Sequence, residues 1–165
     1  MRISLSTVSI NSKAPYPVHS ENGYTFMFST QFGLKYVVGF VEDYMLSDDG
    51  LVYQLFIDNV EGVHQPIDRN IYLTVVAILE EFFTNENAAI VYICDTSDGL
   101  QAVRQRLFRI WFDNYPNNHS YRLTSKTLTV DATSYYVSLL ARVDMPLLGD
   151  RIEALNKLHK ILERK

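Results

Sequence analysis

Two aspartates and two arginines crowd one short stretch of this chain. The loop Asp95-Thr96-Ser97-Asp98-Gly99 joins an apolar run, Ala89 to Cys94, to a segment that carries Arg104 and Arg106. Carboxylates three residues apart at the carboxyl end of a strand can hold a divalent cation or move a proton, and a guanidinium beside them can clamp an anion through paired hydrogen bonds. Asp95 and Asp98 as metal ligands or acid/base groups, with Arg104 or Arg106 as the clamp, would suit an enzyme acting on a nucleotide or another phosphorylated substrate. The same residues have structural uses. Asp98 and Gln101 have the spacing of a helix capping box, and Asp95 can pair with Arg104. Those two uses occupy both acids, so the structural reading leads, with no catalytic residue, metal or cofactor assigned.

The elements that must hold these residues follow from hydrophobic periodicity. Over residues 99 to 114 a helical wheel gathers Leu100, Val103, Leu107, Phe108, Ile110 and Trp111 on one face, with Arg104 in its middle and Arg106 and Arg109 opposite. An arginine on a core face is costly unless it is paired and hydrogen-bonded. Asp95 is the expected partner, ahead of Asp98 and Asp68, and a buried Arg104–Asp95 pair would fasten the helix to the sheet. Before this helix, Tyr24/Phe26/Phe28, Tyr36/Val38/Phe40 and Leu51/Tyr53/Leu55/Ile57 alternate as an antiparallel meander, and Asp49-Gly50 suits a type I′ turn. A second helix is expected over about 69 to 86, capped by Asp68 and stapled by Ile67 against Tyr72. Residues 89 to 94 read as a strand buried on both faces. Strands at 121 to 130 and 134 to 143 follow around Asp131-Ala132-Thr133, and a last helix from Asp150 to about Glu163 sets Leu155, Leu158 and Leu162 in one stripe. The expected fold is a single α+β domain at 24–165, a mixed or mainly antiparallel sheet in the order βββαβαββα covered by three helices. Residues 1–23 read as an N-terminal arm or edge strand.

With 165 residues, 47% of them hydrophobic and 21% charged, the chain is long enough for one core and too apolar to be disordered. No run approaches the roughly 20 apolar residues of a membrane helix, and the N-terminus has no signal-peptide core. A soluble, cytoplasmic protein is expected, in keeping with the single cysteine, Cys94. The net charge of −4 opposes nucleic-acid binding. Arg151, Lys157, Lys160, Arg164 and Lys165 are diluted by Asp150, Glu153 and Glu163 and read as a solvated helix face. His19, His64, His119 and His159 have no metal-ligand spacing. Tyr16, Tyr44, Tyr115, Tyr121 and Tyr136 are hard to bury and point to a protein interface.

Several of these residues recur together: Tyr24-x-Phe26 with Thr30, Gly33, Tyr36 and Phe40; Asp68, Ile71, Thr74, Ile78 and Phe82-Phe83; then Tyr92-Ile93-Cys94-Asp95, Asp98-Gly99, Gln101, Arg104, Leu107-Phe108 and Trp111-Phe112. This pattern resembles an uncharacterised bacterial family, a domain of unknown function, over roughly residues 24 to 115. The resemblance implies a small stand-alone bacterial domain and brings no activity, substrate or cofactor with it. The leading expectation is therefore a non-catalytic protein that binds a protein partner or itself. The alternatives are an enzyme working at the Asp95/Asp98/Arg104 junction and a nucleic-acid-binding regulator.

Overall fold

Alternating apolar residues become strands, and the residues between them become turns. The structure, a computed structural model, describes residues 3–63, 67–94 and 96–158. In order along the chain it contains α1 (Thr7–Asn11), β1 (Thr25–Ser29), β2 (Lys35–Glu42), β3 (Val52–Asn59), α2 (Arg69–Phe82), β4 (Ala89–Ile93), α3 (Gln101–Asn114), a 3-10 turn (Asn118–Ser120), β5 (Tyr121–Val130), β6 (Thr133–Arg142) and α4 (Leu148–Asn156). This is an α+β domain with a six-stranded mixed sheet in the order β1-β2-β3-β4-β6-β5. Its contacts gather into two compact units, one running up to Val41 with Leu55–Asn85, the other comprising Glu42–Gln54 and the residues from Glu86 onward.

In the first unit, β1 pairs antiparallel with β2, placing Phe26 opposite Val38 and Phe28 opposite Tyr36. Phe26 meets Phe40 edge-on, and Phe40 stacks on Phe82 of α2 with ring centroids 4.8 Å apart. Aromatic pairs of this kind add about 0.5–1.5 kcal/mol beyond their buried area. Asp68 is the N-cap of α2, its carboxylate accepting the Asn70 amide at 2.9 Å. The expected staple is absent, because Ile67 is fully exposed.

The N-terminal segment is neither an arm nor an edge strand. Ser6 caps α1 through the Ser9 amide, and Ile3, Leu5, Ile10, Tyr16 and Val18 are all buried. Among described residues 3–23, His19 touches the sheet in strand fashion, through one bridge to Met27. Tyr16 is a core residue whose hydroxyl donates to Asp68, so it leaves the set of candidate interface tyrosines.

In the second unit, β6 lies between β4 and β5, antiparallel to both. Asp131 and Ala132, both at positive φ, close the two-residue β5–β6 turn. The type I′ geometry expected at Asp49-Gly50 thus occurs here; at the earlier site only Gly50 has positive φ, within a wider loop between β2 and β3. Because side chains alternate across β6, Val137, Leu139 and Ala141 join Leu128 and Leu155 in one core, while Tyr136 and Ser138 point to the opposite face. Leu155 and Leu158 of the last stripe are buried; Leu162 lies outside the described residues.

Candidate functional site

Helix α3 carries the residues with chemical potential, and it faces another way than its apolar pattern suggests. Among its residues Phe108 is buried, and its ring lies 4.6 Å from that of Tyr92 on β4. Gln101 donates from Nε2 to the Ser134 carbonyl at 3.1 Å. The inward stripe is thus Gln101, Arg104, Phe108 and Trp111-Phe112, displaced by about 100°, one residue's step, from the expected face. Leu100, Val103, Leu107 and Ile110 are consequently 49%, 52%, 46% and 46% exposed.

Arg104 is therefore not a buried charge. It is about one-third exposed and grips Asp98 with both ends of its guanidinium, Nη1 donating to Oδ1 at 2.8 Å and Nη2 to Oδ2. The Asp98 carboxylate also accepts the Leu100 amide at 3.0 Å. The arginine hydrogen bonds, followed by that amide, hold the Asp98 carboxyl well below the usual carboxylate range. Asp98 does not occupy the cap position of α3. That position falls at Leu100 without a side-chain hydrogen bond, and Gln101 is turned to Ser134 in place of completing a capping box. Asp95, the partner expected for Arg104 and the second candidate metal ligand, lies outside the described residues, as do His64 and His159. Among the described residues no group of three or more His, Cys, Asp or Glu side chains converges to hold a metal ion.

Beside this clamp, burial pushes the Tyr92 phenol up to about 12 and the Cys94 thiol up to about 11, against the opposing pull of the Arg104 charge. Neither group is poised as a base or nucleophile near neutral pH. Arg106, the fourth candidate, is separated from Asp98 and Arg104. It is exposed on the far side of α3, where with Gln105 and Arg109 it overhangs a cleft floored by Ser125, Tyr136 and Ser138.

Among the described residues the buried arginine is Arg151, placed by the sequence reading on a solvated face. Its side chain is 7% exposed; Nη1 donates to Ser47 Oγ at 2.7 Å and Nη2 to Asp49. Its Nε is buried without a partner among the described residues. A signal was present: Leu148, Arg151, Leu155 and Leu158 follow a helical stripe, and Arg151 is the charged member of it.

No curated protein and no solved structure matches the chain. A family described as being of unknown function, DUF6169, matches residues 67–157, which takes in α2 through α4 and extends well beyond the residue-115 limit of the sequence resemblance. The match covers more than half of the chain and contains α3, the Asp98–Arg104 clamp, the cleft and Arg151. On that match, the chain belongs to the DUF6169 family.

Proposed function

We propose that this protein is a non-catalytic binding module whose recognition element is the outward face of α3. The observation that carries the reading is the row Leu100, Val103, Leu107 and Ile110, four large apolar side chains about half exposed on one helical stripe. Their spacing of three, four and three residues is the pattern by which one amphipathic helix receives another. Removing what remains exposed from water contributes on the order of 1 kcal/mol per side chain. The occupant we assign is an amphipathic segment of another protein, with acidic residues beside its apolar positions. Charge favours that choice over a second copy. Helix α3 carries three arginines and one aspartate in a chain whose net charge is −4, and Arg106 flanks the apolar row. The same net charge counts against a nucleic-acid partner. We further place the protein in the bacterial cytoplasm, on the strength of its single buried cysteine and the bacterial character of the pattern it resembles.

A photo-crosslinking residue in place of Leu107, introduced in the source organism, tests this directly. The expected result is one discrete adduct, suppressed by Val103→Asp, that maps to a partner segment with apolar residues at helical spacing and Asp or Glu next to them. An adduct only with a second copy of the chain, or none from a protein that still folds, would overturn the assignment.

A further inference from the structure

On the side of α3 away from Asp98, the helix overhangs β5 and β6 and leaves a cleft of about 400 Å³. That volume lies within the roughly 300–1,000 Å³ of small-molecule sites. Its charged groups are both cations. Arg106 and Arg109 stand one helical turn apart on the rim, and no carboxylate lines the cleft. Arg109 is partly engaged by Asp113, with Nε 3.4 Å from the carboxylate and the guanidinium carbon 5.8 Å from the centre of the Phe112 ring. Arg106 forms no ion pair among the described residues and is the cation left to meet a ligand.

The floor supplies a donor of a second kind. Ser125 and Ser138 face each other across the β5–β6 ladder with their hydroxyl oxygens 2.9 Å apart. Each hydroxyl has one proton, and one proton suffices for the bond between them. The other is free to be donated, and both side chains line the cleft. With Ser138 3% exposed and Ser125 exposed, the bond is best made by Ser138 donating, which leaves the Ser125 proton at the cleft surface for a ligand. Ala102, Ile110 and Leu123 give the rest of the cleft apolar walls.

We infer that this cleft binds a small organic oxyanion, a phosphate monoester or a carboxylate, with its charged end between Arg106 and the Ser125/Ser138 hydroxyl pair and its apolar part against Ile110 and Leu123. Guanidinium and hydroxyl donors that line one cleft from a helix and a sheet suit an oxyanion, which accepts several hydrogen bonds at once. The cleft adjoins the proposed partner surface, with which it shares Ile110 and the flanking Arg106, while Leu100, Val103 and Leu107 lie outside its lining.

Arginine side-chain NMR resonances of the whole chain, titrated at constant ionic strength with inorganic phosphate in one arm and succinate in another, read the site without knowledge of the natural ligand. The expected result is a saturable shift of the Arg106 and Arg109 Nε–H signals in at least one arm, with the other arginines unmoved. Phosphate alone would identify a phosphorylated ligand class, and succinate alone a carboxylate. Arg106→Gln and Ser125→Ala are each expected to weaken binding by about tenfold or more, the loss of one charge-assisted hydrogen bond. Shifts that grow linearly in both arms, that spread over all the arginines, or that survive Arg106→Gln unchanged would overturn the proposal. Because Arg106 is exposed, Arg106→Gln retains the fold, so its result stands even if Ser125→Ala destabilises the sheet.

Discussion

Two substitutions at the Arg151 strut should differ in cost, and the difference follows from unequal burial of the partners. The Arg151 side chain is 7% exposed and that of Asp49 is 34% exposed. Asp49→Ala leaves a buried guanidinium with Ser47 Oγ as its remaining described partner and its Nε already unsatisfied, so the full penalty of an uncompensated buried charge applies. That penalty is about 3–5 kcal/mol. Arg151→Met removes the charge and keeps much of the apolar stem, while the abandoned carboxylate turns to water. Its cost should be about 1–2 kcal/mol, near that of one or two hydrogen bonds. With a urea slope on the order of 2 kcal/mol/M, the two midpoints at pH 7 should fall by about 2 M and by about 0.5–1 M. Acid should narrow the gap. Burial alone would raise the Asp49 carboxyl; its hydrogen bonds with Ser47, Arg151 and the Leu51 amide, together with the Arg151 charge, outweigh that and lower it. A lowered carboxyl stabilises the fold above its unfolded-state value near pH 4 and loses that contribution as pH falls through the folded-state value. Equal midpoints for the two variants, or a larger loss in Arg151→Met, would mean that Arg151 is not held as a buried charge by Asp49.

Other perturbations test other parts of the structure. Cys94, buried with its thiol pushed up to about 11, should resist a disulfide reagent at pH 8 and react only at the rate of unfolding; prompt stoichiometric labelling of native protein would contradict this. Gly39→Ala should destabilise by about 1–3 kcal/mol in thermal unfolding, because the new methyl would sit 2.2 Å from the Phe56 ring and force it aside; an unchanged melting temperature would show that the ring moves freely. Phe108→Ala should cost about 3–5 kcal/mol and Leu107→Ala under about 1 kcal/mol, and the reverse order would put the apolar row of α3 in the core.

The strands and α2 were legible because their patterns have one solution. Phe26 and Phe28 alternate with Thr25 and Met27, and in such a run only one face can be buried. Helix α3 has two adjacent apolar stripes, Leu100/Val103/Leu107 and Phe108/Trp111/Phe112, which together cover much of its circumference. Periodicity cannot choose between them, and the choice is made by Tyr92 beneath Phe108 and by Gln101 on Ser134. Arg104 lies on the inward side with either stripe, but it is about one-third exposed and pairs with Asp98 rather than with a buried partner. Arg151 escaped notice because its partner Asp49 is 102 residues away in sequence and the charges around it are ordinary surface charges. Helix α1 was hidden by the alternation of Ile3 and Leu5 with serines, which imitates a strand until Ser6 caps the turn that follows.

The proposed partner surface requires that Leu107 face outward, in keeping with its 46% exposure. Leu107→Cys and Phe108→Cys, each made in a Cys94→Ser background and treated with a maleimide under native conditions, test it most directly. Position 107 should label at the rate of a free surface thiol, and position 108 only as the protein unfolds. Protection at position 107 in the isolated protein, whether from core burial or from a second copy of the chain, would contradict it.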